Sequence, residues 1–254
     1  MLQNLLTAEL FAPFLVFARI GSAFVMLPGF SEAYVAVRYR LLLAAALSLV
    51  LAPVVGPGLP RAPGTVPELA ILLGGEIAVG LFLGIAARLV LAALQVAGQI
   101  IALQTGLASV LVFDPASQQQ GALTAAWLTA LALVLIFLTD SHHLMLRALA
   151  DSYGLFLPGE IPAVGDMAEA MSRLVAASFA LAVKLSAPFL VFGLVFFLAL
   201  GLLQRLLPQV QVFFVALPLQ IMAGMLILAL TLAAGMAVFL DDFETALGRF
   251  VRLS

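Results

Sequence analysis

No cysteine occurs in the 254-residue chain. Disulfides, thiolate metal sites and cysteine nucleophiles are excluded, and the redox compartment stays unspecified. Charge is also scarce, at 9% of residues, where a soluble domain carries roughly a quarter. The net charge is −2 and no run of Lys or Arg exists, so the chain lacks the positive footprint that nucleic acid or anionic headgroups would need. G-x-S-x-G, P-loop, G-x-G-x-x-G and metal-spaced acid clusters are all missing, and neither an enzyme nor a cofactor is expected. The N-terminus "MLQNLLTAELFAPFLVFARIG" has no basic n-region and no A-x-A-like site. It does not read as a cleaved signal.

What is present is apolar. Hydrophobic residues make up 65% of the chain and the mean hydropathy is +1.23, the composition of an integral membrane protein. A spanning helix needs about 20 apolar residues. Leu41 to Pro60, Leu89 to Phe113, Pro115 to Thr139, Leu185 to Gln204 and Leu206 to Leu240 are charge-free; Arg19 alone interrupts Leu10 to Ser31, and Glu76 alone interrupts Leu69 to Ala87. The expected fold is all-α, with six to seven hydrophobic helices in one membrane-embedded domain over 1–254. The connector "VVGPGLPRAPGTVPE" cannot continue a helix. A polar connector over about 140–173 and a short amphipathic tail over 241–254, a surface helix or frayed end, complete the chain. In a six-span arrangement Arg61, Arg147, Arg173, Arg249 and Arg252 fall on one side and Arg38, Arg40 and Arg205 on the other, a weak bias that leaves orientation open.

Arg19, Glu76, Arg88 and Lys184 fall inside or beside apolar runs, where a charge normally faces protein or water. From Arg88, the residues Gln95 and Gln99 follow at seven and eleven positions, within about 20° of it on a helix. They form one polar stripe, either satisfied within the chain or turned to a neighbouring subunit or a pore. Gly80 and Gly84 have the small-xxx-small spacing that permits close backbone approach.

The stretch "GLASVLVFDPASQQQG", Gly106 to Gly121, breaks this apolar background. Asp114 before Pro115 disfavours helix, and irregular backbone at membrane depth is tolerated only when buried in protein or lining a cavity. It is either an exposed turn or a re-entrant constriction. Leu111 to Phe113, three bulky apolar groups where a solvated loop would be polar, favour the constriction, since such groups can close a channel. Gly106 and Gly121 would be its hinges.

In "DSHH", Asp140 and Ser141 are expected to cap the next helix. Adjacent histidines are about 100° apart on a helix, a poor spacing for one ion, so His142 and His143 are read as assembly contacts and no metal is expected. In "RLLPQVQVFFVALPLQI", Pro208 and Pro218 bracket an apolar run containing Gln211, which is either a turn between the last spans or a packed break inside an assembly.

Five segments in order, "AGQIIALQTGLA", "FDPASQQQ", the "HH" of "TDSHH", "SYGLFLP" and "RLLPQVQVFFVALPLQIMAGM", together resemble the FliR family of the flagellar type III export gate and its virulence-secretion counterparts. The chain departs from the family pattern at Ala36, Ser141, Gln211 and Ala216-Leu217. The resemblance implies a channel-forming subunit assembled with FliP and FliQ, near FlhB and FlhA, passing unfolded proteins across the bacterial inner membrane at the flagellar basal body. It also implies a plug comprising Val110, Leu111, Val112, Phe113, Asp114 and Pro115. Arg88, Gln95, Gln99, Gln118, Gln119 and Gln120 would then be channel-wall or intersubunit groups, and His142, His143, Pro208, Gln211 and Pro218 assembly contacts. The rivals are a virulence-branch subunit, a small-molecule permease using Glu76, Arg88 and Lys184 near the midplane, and a membrane enzyme built on the histidines.

Overall fold

The computed structural model describes residues 2–60, 62–108, 120–160, 163–206 and 212–251, and among these all regular structure is helical. The chain is an all-α membrane protein. Its helices are α1 (Leu2–Met26), α2 (Val37–Val55), α3 (Val66–Gln104), α4 (Gln120–Leu138), α5 (His142–Leu155), α6 (Val164–Leu206) and α7 (Val212–Val251), with a single 3-10 turn at Gly56–Gly58. Four helical stretches are long and apolar enough to cross a membrane, Val37–Gly58, Val66–Gln104, Val164–Leu206 and Ala216–Val251; α4 and α5, bent by 73° at their junction, supply a fifth if counted as one span. Pro13, Pro53, Pro188 and Pro218 lie inside helices. Each removes one backbone donor, a loss that neighbours in a membrane bundle can repair.

The polar stretch over 140–173 contains the helix expected to start after Ser141, all of α5, and the start of α6. α5 is amphipathic, with Met145, Ala148, Leu149 and Ser152 buried. Two other expectations are corrected. Through Val251 the tail is neither a separate surface helix nor frayed, because α7 runs on to that residue with Phe243 and Leu247 buried. Pro218 lies within α7 and marks neither a turn nor a break in that helix.

The chain gathers into two compact units, one comprising 1–90, 136–175 and 243–254, the other 91–135 and 176–242. In the first, α1 packs along α2 and is pressed against α3 at Gly80 and Gly84. A Cβ on Gly80 would overlap the Arg19 carbonyl and the Ser22 hydroxyl, and one on Gly84 would come within 2.8 Å of the Ala23 carbonyl. This is the close approach that the glycine spacing permits.

The centre of that unit is a charge. Arg19 is fully buried, and its Nε donates to Glu76 Oε2 at 2.6 Å while Nη2 donates to Glu76 Oε1 at 3.1 Å. Nη1 donates to the Ser152 carbonyl at 3.1 Å and the Ser152 hydroxyl at 3.2 Å, and Nη2 to the Phe156 carbonyl at 2.9 Å. All five guanidinium protons are thus used. Its face lies 4.0 Å from the centre of the Tyr153 ring. The two carbonyls lie at the end of α5, where the helix dipole favours a cation; the Ser152 carbonyl also accepts the Phe156 amide, and the Phe156 carbonyl follows at the C-cap. One side chain of α1 therefore binds α3 through a carboxylate and caps α5.

In the second unit, contacts rest on small residues. Gly98 of α3 faces the Ala125 backbone of α4, where a Cβ would come within 2.8 Å of the Ala125 nitrogen. Leu94, Leu128, Phe189 and Phe239 fill its core.

Arg19→Leu leaves the Glu76 carboxylate buried and alone and should destabilise the protein by about 3–5 kcal/mol. Arg19→Leu/Glu76→Leu should recover part of that loss, the α5 carbonyls remaining uncapped. Thermal unfolding in detergent measures both, and a double variant no more stable than Arg19→Leu would refute the ion-pair account.

Candidate functional site

The polar stripe and the end of α3 are built differently. Arg88, Gln95 and Gln99 are all exposed. Arg88 Nη1 donates to Ser31 Oγ at 2.8 Å, while neither Gln95 nor Gln99 makes a side-chain hydrogen bond among the described residues. Among the described residues nothing satisfies these amides.

At the end of α3 the chain is held from several directions. Thr105 Oγ1 donates back to the Ile101 carbonyl at 2.8 Å, and Gly106 follows with φ 75°, a left-handed conformation that glycine adopts without penalty. Gln220 of α7, itself buried, donates through Nε2 to the Gln104 carbonyl at 2.9 Å. It satisfies one of the acceptors that the helix end leaves open. A Cβ on Gly224 would come within 2.6 Å of the Thr105 side chain, and one on Gly193 would overlap the Gln104 amide. The start of the Gly106 to Gly121 stretch is thus seated on glycines of α6 and α7 and fastened by one amide.

Sequence reasoning missed Gln220. The available signal was a lone polar side chain in a charge-free run, which in a membrane helix faces protein. Of the other expected residues, Gln120 and Gly121 form the start of α4. Val110, Leu111, Val112, Phe113, Asp114, Pro115, Gln118, Gln119, Pro208 and Gln211 lie outside the described residues.

The three charges of the permease reading have separate partners. Glu76 is held by Arg19, Lys184 Nζ lies 3.8 Å from Asp242 Oδ2, and Arg88 meets Ser31. Nothing about these contacts creates a common substrate site.

The α4–α5 corner departs from expectation twice. Ser141 stands at the N-cap of α5 without a capping hydrogen bond; its hydroxyl instead donates to Glu244 Oε1 of α7 at 2.8 Å and lies 2.8 Å from Thr139 Oγ1. The His142 and His143 rings are not splayed by their 100° offset, their centres being 4.1 Å apart. The offset fixes the Cα–Cβ bonds only, and side-chain rotation brings the planar rings together. His142 also stacks on Phe137 at 4.9 Å.

A multi-pass helical protein with largely apolar spans, a buried arginine clamp and, among the described residues, unpaired amides on an exposed face has the character of a subunit of a membrane assembly. The family described as bacterial export proteins, family 1, matches residues 10–246, and the chain belongs to it. It is 36% identical to the flagellar biosynthetic protein FliR of Caulobacter vibrioides over 95% of this chain and 96% of that one. It is 31% identical to the protein of that name from Bacillus subtilis, over 93% and 92%. The Yop proteins translocation protein T of Yersinia pestis is 27% identical, over 91% and 89%.

Gln220→Leu leaves the part-buried Gln104 carbonyl without its donor, at a cost of about 1 kcal/mol. A lowered unfolding midpoint in detergent is expected, and an unchanged one would show that the contact is dispensable.

Proposed function

We propose that the chain is a channel-forming subunit of the flagellar type III protein export gate, assembled with FliP and FliQ near FlhB and FlhA in the inner membrane at the basal body. Its cargo is unfolded exported protein. The observation that carries this reading is the 36% identity, over 95% of the chain, to a flagellar biosynthetic protein FliR. The exposed surface agrees with it: α6 presents Val191, Leu194, Val195 and Leu198, and α7 presents Leu219, Met222, Leu226 and Leu230, while α3 presents Gln95 and Gln99. Apolar faces alone suit lipid, but added amides suit packing against other subunits or a wet passage.

In this reading Val110 to Pro115 form the plug, with Leu111 to Phe113 occluding the passage and Gly106 to Gly121 delimiting the segment that moves. Gln118 to Gln120 give a wettable wall to a passing chain. No nucleotide-binding motif occurs in the sequence, so the driving energy comes from other components. The virulence branch is the second reading, favoured by the match to Yop proteins translocation protein T, whose 27% identity is lower than the 36% and 31% of the two flagellar relatives named above.

Deleting Leu111 to Phe113 should raise ion conductance through the assembled gate in planar bilayers. Conductance equal to that of the parent assembly would exclude the plug. Gln95→Leu and Gln99→Leu should each reduce co-purification with FliP and FliQ or halt motility on soft agar; full assembly and motility in both would return these amides to a passive role.

A further inference from the structure

We infer that the α4–α5 corner is a binding site for a borderline divalent transition-metal ion such as Zn(II) or Co(II), held by Asp140, His142 and His143. One ligand atom from each lies within 4.8 Å of the others. His143 Nδ1 and Asp140 Oδ1 are 3.7 Å apart, too far for a hydrogen bond. Metal–ligand bonds of about 2.1 Å at a tetrahedral angle place donors about 3.4 Å apart. The Asp140–His143 gap is close to that spacing, and separations of up to 4.8 Å within the trio would close by side-chain rotation when an ion binds.

A second, independent feature points the same way. His142 Nδ1 is shielded from solvent and has no hydrogen-bond partner among the described residues, an arrangement that a ring nitrogen sustains poorly unless something accepts its lone pair or its proton. His142 is packed on Phe137, so its ring is already oriented. Asp140 has φ 59°, and this left-handed turn sets the carboxylate beside the first turn of α5. Two imidazoles and one carboxylate suit Zn(II), Co(II) or Ni(II) better than Mg(II) or Ca(II), which prefer oxygen donors.

Access and charge are compatible with an ion. A cleft of about 490 Å³ opens beside the corner, lined among others by Asp140, His143, Arg147 and Glu244. The dipole of α5 and the Arg147 guanidinium oppose a cation. The Asp140 and Glu244 carboxylates offset them, and Arg147, being exposed, can turn its charge into solvent. Glu244 is fixed at the cleft by Ser141, so an ion here would tie the bend between α4 and α5 to the end of α7. The site does not depend on the export-gate reading.

The test is unusually clean because the chain has no cysteine and no histidine besides His142 and His143. Full-length protein without a histidine tag, purified in detergent, is titrated with Co(II) and followed by its visible absorption, then challenged with Zn(II). Saturable binding of one ion per chain, a tetrahedral Co(II) spectrum displaced by Zn(II), and a rise in unfolding midpoint with Zn(II) are expected. His143→Ala and Asp140→Asn should each weaken binding by at least about tenfold; asparagine tolerates the left-handed conformation, so the turn is kept. Protection of the imidazoles by Zn(II) against diethyl pyrocarbonate needs no variant and is expected in the parent chain. Absence of saturable binding, lack of protection, or binding undiminished in either folded variant would each overturn the site.

Discussion

The first unit depends on one guanidinium. An arginine inside an apolar bundle carries a large desolvation cost, and pairing with a single carboxylate rarely more than offsets it. Here the cost is met by saturation: two protons of Arg19 go to Glu76, two to the carbonyls ending α5, and one to the Ser152 hydroxyl. Such a contact specifies as much as it stabilises. A slip of α1 along α3 by one turn, about 5.4 Å, would separate Arg19 from Glu76 and expose both to hydrocarbon. Gly80 belongs to the same device, because its missing Cβ lets the Arg19 backbone approach α3 closely, which fixes the height at which the guanidinium meets the carboxylate.

Among its described residues the second unit has no comparable buried charge and is organised by shape. In a bilayer, apolar side chains gain little by leaving lipid for one another, so helix contacts come from small residues that let backbones approach and from scattered polar bonds. Gly98 against Ala125, Gly224 against Thr105, and the Gln220 amide on the end of α3 follow that rule. Where the first unit fixes register by electrostatics, the second does so by allowing a fit only where glycine stands.

How much of this was legible varied with the range of the interaction. Long charge-free runs reveal membrane helices because the signal is local and repeated, and Pro and Gly clusters reveal where they stop. That Arg19 and Glu76 must face protein also follows from the sequence. That they face each other does not, because 57 residues separate them and only the folded contact of α1 with α3 selects the pair. The start of α5 is legible in Asp140 and Ser141, but its extent is not, since polar density looks like a loop until its apolar positions are counted at helical spacing. The closeness of the histidine rings is not legible, because the helical offset fixes Cβ directions and long side chains are free to rotate away from them. Gln220 was overlooked because its partner is a backbone carbonyl, which no pattern of side chains reveals.

The exposed face of α3 carries the last step. An amide moved into hydrocarbon without a hydrogen-bond partner costs several kcal/mol, about 4–8 on a water-to-cyclohexane scale. Gln95 and Gln99 are exposed on one helix, and their side chains have no bond within the described chain. Two such amides facing acyl tails would cancel a large part of the stability of an ordinary domain, about 5–15 kcal/mol. At hydrocarbon depth such amides would need protein or water beside them. The apolar faces of α6 and α7 impose no such demand, since lipid satisfies them. It is thus the glutamines of α3, few as they are, and not the many exposed leucines, that distinguish a helix built for lipid alone from one built for polar neighbours.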